Sequence, residues 1–215
     1  MSIVKPVQGL PACGLPIIGV KPGKPFNAGG GGPPAPTYAT WNQLDSNPAI
    51  IISGEGLIAT AVDTGWKSLR ANAARTTGKP QFEVTVSGAL PYHVIVGVGS
   101  SSASLASFVG SDTQACGVYA GIGEKVYGGS ANSFGFTPWQ GGVLTVSADL
   151  DSGIIKVKYN GTLLTTLCSE ADIGTAVSGT FPIASIYGAG TILTGNFGPT
   201  LLYPEEGYDD GWEVL

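Results

Sequence analysis

The side chains that could carry out chemistry are few and scattered along the sequence. His93 is the only histidine, so a Ser-His-Asp or Cys-His arrangement would have to use it. It stands at the entrance of a predicted strand, where we expect a partly exposed turn residue. Cys13, Cys116 and Cys168 contain no Cys-x-x-Cys pair, and with one histidine they offer too few ligands for zinc. Their odd number argues against a complete disulfide framework, and we expect small buried hydrophobic side chains in a protein made in a reducing cytosol.

Carboxylates and glycine-rich turns give weak signals as well. Asp149 and Asp151 lie two positions apart and could bind Ca²⁺, although such a site needs six or more oxygen ligands. Hydrogen bonding to backbone N–H groups in a turn is the alternative role. Gly97-Val-Gly99 and Gly188-Ala-Gly190 resemble fragments of nucleotide-binding loops, but no helix is predicted after either one. The sequence therefore predicts no catalytic, metal-binding or cofactor-binding residue, and a protein that is not an enzyme.

The composition excludes several classes of partner. Charged residues make up 12% of the chain, about half the usual globular share. Residues 1–36 hold three lysines and no acid, whereas residues 204–215 hold five acids and no base. No basic stripe could neutralise a run of phosphates, so nucleic-acid binding is not expected. No stretch reaches the ~18–20 apolar residues that cross a bilayer, and the N-terminus lacks the signal-peptide pattern.

Apolar and polar residues alternate along short segments, which predicts an antiparallel β-sandwich from Tyr38 to Tyr203. Phe82, Val84 and Val86 alternate with polar residues, as in a strand with one face in the core. Asn160-Gly161 lies between two apolar runs and predicts a hairpin with a type I′ turn. Helical periodicity is weak, and the best helical candidates are the short segments Lys67–Ala74 and Ser169–Ile173.

Several signatures occur in a fixed order between Gln81 and Gly198. Phe82-Glu83-Val84 comes first, then Val96-Gly97-Val98, Gly117 and Tyr119, Asp149-Leu150-Asp151 with Asn160-Gly161, Phe181-Pro182, and Asn196-Phe197-Gly198. This order resembles the SPRY (B30.2-like) domain, a two-sheet sandwich of the concanavalin-like jelly-roll type. The resemblance covers a little over half of the chain. It implies an all-β fold that binds ligands through its loops without catalysis, and structural roles for Phe82, Glu83, Gly97, Tyr119, Asp149, Asp151, Asn160, Gly161, Pro182, Asn196, Phe197 and Gly198.

Three further features resemble the phage branch of that family. A Trp-x-Ser-x-Arg element, formed by Trp66, Ser68 and Arg70, precedes the core strands. The chain continues past the closing signature into Tyr203-Pro204 and Gly207-Tyr208. The domain also follows a Gly/Pro-rich segment with no second recognisable domain. These features imply a bacteriophage virion protein.

Residues 1–37 are predicted to form an extended anchoring arm and hinge. Eight prolines and eight glycines in residues 1–36 exclude a helix there. Apolar side chains punctuate the arm, and we expect them to dock on a partner, with the three lysines meeting an acidic surface; a floppy tail is the alternative. The partner-binding residues are Val7, Leu10, Leu15, Ile17 and Ile18. Residues 204–215 are predicted to form an acidic C-terminal tail.

The favoured hypothesis is a non-enzymatic virion component, either a capsid decoration or a tail or fibre protein. Its arm would bind other virion proteins in a multi-copy assembly, and its sandwich would face outward towards a host-surface glycan or protein. It would be synthesised in the host cytoplasm and located in the virion. The first alternative is a stand-alone SPRY-type adaptor that binds a protein or glycan outside a virion. A cryptic glycan hydrolase is the weaker alternative, since two carboxylates need only be ~5–9 Å apart in space.

Overall fold

The computed structural model describes Ala35 and residues 37–133, 141–169 and 179–215. The chain divides into two units, residues 1–35 and residues 36–215. The predicted anchoring residues Val7, Leu10, Leu15, Ile17 and Ile18 lie outside the described residues, so the arm stays a prediction. No helix in the described part of the chain is long and apolar enough to span a membrane.

Antiparallel strands account for the architecture of the described residues. They are β1 (Trp41–Ser46), β2 (Ile50–Ser53), β3 (Ile58–Ala61), β4 (Lys67–Ala71), β5 (Gln81–Gly88), β6 (Val94–Gly99), β7 (Ala115–Tyr119), β8 (Glu124–Tyr127), β9 (Ser130–Ser133), β10 (Gly142–Asp149), β11 (Ile154–Tyr159), β12 (Thr162–Ser169), β13 (Phe181–Ile186) and β14 (Thr191–Asn196). The front sheet has the order β1-β4-β13-β6-β7-β8-β9, and the back sheet has the order β12-β11-β10-β5-β14-β3-β2. The predicted all-β, two-sheet sandwich is confirmed.

The core between the sheets is built on strand alternation and a cluster of aromatic rings. Phe82 and Phe197 stack with ring centroids 5.7 Å apart, and both side chains are buried. Trp212 meets Phe82 edge to face at 5.7 Å, and Trp41 meets Phe197 in the same way at 5.0 Å. Such pairs stabilise beyond the area they bury, so this cluster joins the start, middle and end of the domain.

The Asn160-Gly161 turn has the predicted geometry. Both residues have positive φ, 45° and 81°, as a type I′ turn requires. The Asn160 side-chain oxygen also accepts a hydrogen bond from the Val143 N–H at 3.0 Å. The turn is therefore tied to β10, and it joins β11 to β12 as expected.

One predicted helical segment is a strand instead. Lys67–Ala71 forms β4, where Leu69 and Ala71 point into the core and Ser68 and Arg70 point to the other side of the front sheet. The residues have good helix propensity, but all five are buried, because the core covers one face of β4 and the loop of residues 100–114 covers the other. Propensity is a weak signal that tertiary packing overrides.

The back sheet buries polar residues that the sequence pattern placed in solvent. Glu83 accepts hydrogen bonds from the N–H groups of Leu202 and Tyr203, at 2.7 and 2.6 Å. Gln81 accepts one from the N–H of Glu205 at 2.8 Å and donates one to the carbonyl of Asp209 at 2.7 Å. Both side chains are about 1% exposed, because the segment after β14 crosses the outer face of the sheet.

The C-terminal segment thereby belongs to the packed unit. The sequence analysis ended the sandwich at Tyr203, but Trp212 is fully buried and donates its indole N–H to the carbonyl of Ala73 at 3.1 Å. Glu213 forms an isolated bridge with Tyr38, and the carboxylate of Glu205 pairs with Lys156 and Lys158. The segment predicted as an acidic tail therefore contains a buried tryptophan and a carboxylate paired with two lysines.

Cys116 corrects the prediction of free thiols. It lies buried in β7 and is disulfide-bonded, with its partner outside the residues whose side chains are described. Three cysteines leave room for one bond and one thiol, so the odd count did not exclude a disulfide.

The first prediction concerns the aromatic core. Phe82→Ala and Phe197→Ala should each lower the free energy of unfolding by about 3–5 kcal/mol, because each empties a large buried site. Chemical denaturation measures the change. Leu44→Ala is the control, since Leu44 is 98% exposed and a surface change of this kind stays within ~0.5 kcal/mol. A neutral result for either phenylalanine would contradict its place in the core.

The second prediction concerns the acid end of the stability profile. The hydrogen bond from Lys158 lowers the pKa of Glu205 most. Burial opposes this effect and the hydrogen bond from Lys156 adds to it, so that the pKa lies below the ordinary 4.5. The ionised form is favoured in the folded state, so its contribution is present above pH 4.5 and disappears as the pH falls through the lower folded-state pKa. Glu205→Gln should lower the melting temperature at neutral pH, and the difference from wild type should vanish in acid. Glu206→Gln, at an exposed neighbour, should show no such difference.

Candidate binding site

A second apolar layer lies on the outer face of the front sheet. Ile95, Ile183 and Val126 point away from the main core and pack against Ala103 and Val109 of the loop between β6 and β7. Trp66, Leu105, Phe108 and Tyr119 are partly buried against the same cluster. The loop, residues 100–114, thus covers the front sheet as the C-terminal segment covers the back sheet.

Two serines of neighbouring strands hold this loop. The hydroxyl of Ser185 on β13 accepts the Val109 N–H at 2.7 Å, and its oxygen lies 2.7 Å from the hydroxyl oxygen of Ser68. Ser68 on β4 donates to the carbonyl of Ser107. Each hydroxyl has one proton, so Ser185 donates to Ser68. The chain of bonds satisfies two backbone groups of a loop that lies on an apolar layer.

Arg70 holds the start of the same loop. Its guanidinium donates to the carbonyls of Ser100 and Ala103, and its Nε lies 2.8 Å from a carboxylate oxygen of Asp45. The side chain is 3% exposed and also lies over the ring of Phe181, 5.4 Å from its centroid. Ser68 and Arg70 of the Trp-x-Ser-x-Arg element therefore position a loop.

A cavity of about 140 Å³, open to solvent, lies between the loop and the front sheet. It is lined by Ile95 and Val126 of the front sheet and by Trp66, Phe108 and Ile122. Tyr119, Gly129 and Ala131 complete the lining. Among the described residues, no charged side chain lines the cavity. The volume is close to that of an engineered apolar cavity of about 150 Å³ that binds benzene.

Aromatic contacts fix the rings around the cavity. Trp66 lies 5.3 Å from Tyr119, 5.4 Å from Tyr187 and 5.8 Å from Phe108, between ring centroids. The Nδ1 atom of His93 lies 2.7 Å from the hydroxyl oxygen of Tyr119. Rings held from several sides lose little entropy when a ligand binds.

The electrostatics favour a neutral ligand. Burial, followed by the nearby Tyr187 and Tyr92, raises the pKa of Tyr119. Its phenol therefore stays protonated at neutral pH, and the wall that it forms carries no charge. An apolar side chain would enter without leaving a buried charge unpaired.

A pair of glycines brings the loop close to the sheet. Gly97 and Gly117 face each other on β6 and β7. A Cβ at Gly97 would lie 1.9 Å from the carbonyl oxygen of Cys116, and one at Gly117 would lie 3.1 Å from a methyl carbon of Val109. The signature residue Gly97 thus has a steric role beneath the site.

Of the signature residues, Tyr119 alone lines this cavity. Phe82 and Phe197 lie in the main core, Glu83 holds the C-terminal segment, and Pro182 pairs with Val98 in the front sheet. Asn196 bonds within its own loop, to the Gly198 N–H and the Thr200 carbonyl.

The two candidate calcium ligands have other partners. Asp149 pairs with Lys79 at 2.9 Å and accepts the Ser152 N–H at 3.1 Å, while Asp151 accepts the Gly78 N–H at 3.0 Å. The hydrogen bond from Lys79 contributes most to a lowered pKa of Asp149. Within the described ranges, no three His, Cys, Asp or Glu side chains are grouped to hold a metal ion.

The sequence analysis did not identify most of the residues in the cavity wall. Phe108, Ile122 and Ala131 lie in a loop, a turn and a short strand with no periodic pattern. The signal that could have found them is the pair of apolar residues Leu105 and Phe108 within a loop otherwise rich in Ser, Ala and Gly, since such a loop must cover something apolar to be ordered.

Comparison with known proteins gives a likeness of structure only. No protein-family model matches the chain, and no curated protein sequence matches it. Among solved structures, the SPRY domain of human HERC1 has a TM-score of 0.61 at 16% identity, covering 73% of this chain and 96% of that one. The TRIM65 PSpry domain has a TM-score of 0.59 at 15% identity, covering 73% and 90%. A human SPRY domain has a TM-score of 0.55 at 16% identity, covering 71% and 98%. The described sandwich therefore shares the fold of SPRY domains.

Proposed function

We propose that this chain is a non-enzymatic binding protein that takes one apolar side chain of a protein partner into the cavity beside Trp66. The observation that carries the proposal is the cavity itself, which is open, uncharged, lined by aromatic and aliphatic side chains, and close in size to one ring. Concave apolar sites with fixed walls are the usual form of a binding pocket. The structural likeness to SPRY domains supports a binding role by analogy of fold.

The chemistry favours a side chain over a sugar. The polar groups nearest the cavity are already engaged, since the hydroxyl of Tyr119 meets His93 and the hydroxyls of Ser68 and Ser185 bond to each other and to the loop. A sugar ring needs several free hydrogen-bond partners, whereas a phenylalanine or leucine side chain needs only area to bury. Such burial contributes about 1.5–3 kcal/mol.

The third prediction tests this site directly. N-acetylphenylalanine amide, titrated into labelled protein, should shift NMR signals of residues around Trp66 and Ile122, with weak affinity because one side chain supplies only a few kcal/mol. Ile122→Asp should weaken that binding at least about tenfold, because a charge at the mouth must be desolvated. Ile122 is 45% exposed, so the variant should fold.

Controls separate the outcomes. Ile51→Asp changes an isoleucine of similar exposure, 55% against 45% for Ile122, on β2 and should leave the titration unchanged. A methyl glycoside, titrated in parallel, should cause no shifts at the cavity. Shifts with the glycoside alone, or shifts that Ile122→Asp leaves unchanged, would contradict the proposal.

We further propose that the binding domain is carried on a bacteriophage virion, as a capsid decoration or a tail or fibre component. The support is the Trp66, Ser68, Arg70 element, the Tyr203-Pro204 and Gly207-Tyr208 ending, and the Gly/Pro-rich arm with its aliphatic residues. A host-surface protein would then be the partner at the cavity. A stand-alone adaptor would bind at the same cavity without particle association.

The fourth prediction tests the arm and the location together. Deletion of residues 1–28 should leave the melting temperature of the domain unchanged and abolish incorporation into particles, measured by mass spectrometry of purified virions. Full-length protein supplied in the same host is the control. Normal incorporation of the truncated protein would contradict anchoring by the arm, and absence of the full-length protein from particles would contradict the virion role.

A further inference from the structure

A second cavity, lined by a different set of residues, lies where residues 36–215 begin. It has a volume of about 220 Å³ and is formed by Tyr38, Ala39 and Thr40, by Glu55 and Leu57, and by the segment Asn196-Phe197-Gly198. The proposed apolar side-chain site shares no residue with it. A ligand in this cavity would therefore contact other residues than the ligand beside Trp66.

Among the described residues, the walls combine apolar surface with the charge of Glu55. Phe197 is buried and Leu57 is half-buried behind the cavity, and the ring of Tyr38 lies beside Gly198. The amide of Asn196 is occupied by its own loop. Glu55 lies in a turn with φ of 58° between two glycines of positive φ, and it is exposed. Its carboxylate is the charged group of the wall.

Further negative charge lies beside the cavity. The backbone of Glu213 is paired with Tyr38, and the carbonyl oxygen of Asp210 approaches Gly198. Burial is the largest cause of a raised pKa at Tyr38, and the charges of Glu213 and Asp210 add to it. Among the ion pairs of the described residues, none involves Glu55, Asp210 or Glu213.

This combination suits a lysine side chain. The methylene stem of lysine covers apolar surface while the ammonium group stays at a polar rim. A tyrosine ring attracts the cation through its face, and the carboxylates neutralise it. A lysine ammonium would gain from the nearby carboxylates, a neutral side chain would gain nothing from them, and an anion would be repelled by them.

The sequence of this chain contains a segment with the matching composition. Residues 36–215 hold fifteen acids and seven bases, whereas residues 1–34 hold Lys5, Lys21 and Lys24 and no acid. Extended chain spans up to about 3.3 Å per residue, so 34 residues reach well beyond one domain. We propose that this cavity binds a lysine of the N-terminal arm of a second copy, so that the arms link copies of the chain to one another.

Sedimentation of the full-length protein tests the link. It should self-associate at low salt and dissociate at high salt, because exposed charge pairs are screened. Glu55→Gln should weaken self-association at least about threefold, the effect of one exposed charge pair, and Lys5→Gln/Lys21→Gln/Lys24→Gln should do the same. Glu206→Gln removes an equal charge from an exposed site away from the cavity and should have a smaller effect. Equal effects of Glu55→Gln and Glu206→Gln, or a monomer under all conditions, would overturn the proposal.

Carbodiimide cross-linking identifies the contact. An equal mixture of unlabelled and ¹⁵N-labelled chains should give mixed-isotope cross-links between the arm lysines and Glu55, Asp210 or Glu213. Cross-links within single-isotope chains only would place the arm on its own domain and overturn the proposal, as would cross-links to other carboxylates alone. The NMR titration beside Trp66 is unaffected by either result, so this proposal and the proposed function fail separately.

Discussion

A chain of three hydrogen bonds, two of them buried and one partly buried, connects the front sheet to the loop that forms the candidate site. Ser68 donates to the carbonyl of Ser107, Ser185 donates to Ser68, and the Val109 N–H donates to Ser185. A backbone group buried without a partner costs about 1–3 kcal/mol, so the apolar residues of the loop could not lie on the sheet without these acceptors and donors. The cavity beside Trp66 depends on them, because Phe108 in its wall lies between the two anchored residues.

The same constraint operates on the opposite face of the molecule. There Glu83 and Gln81 accept hydrogen bonds from the N–H groups of Leu202, Tyr203 and Glu205. The segment that they hold brings Trp212 into the core. Each sheet therefore has one face in the common core and one face covered by an irregular segment. Polar side chains at alternate strand positions fix both coverings, which explains why a chain with so few charges buries an arginine and a glutamate.

The sequence predicted the features that depend on local pattern. It did not predict the features that depend on the irregular segments covering the outer faces of the two sheets. Alternation along Phe82–Val86 and the Asn160-Gly161 turn were sufficient for the sandwich and its hairpin. Strand β4 was missed because Lys67–Ala71 has helix-forming residues, and its strand character comes from burial on both faces. Glu83 carried a family resemblance, but its partners lie about 120 positions away. The cavity wall could not be predicted, since Phe108, Ile122 and Ala131 come together only through the loop.

The loop of residues 100–114 is a fixed part of the fold, and hydrogen exchange at the Val109 amide measures this most directly. Its N–H bonds to the buried hydroxyl of Ser185 on β13 and not to a backbone carbonyl of a strand ladder, so its exchange reports on the anchoring of the loop. The account predicts protection close to that of the amides of β6 and β13, with exchange only through global opening. Exchange at the rate of an exposed loop, with the strands still protected, would show that the loop opens independently and would contradict a preformed site.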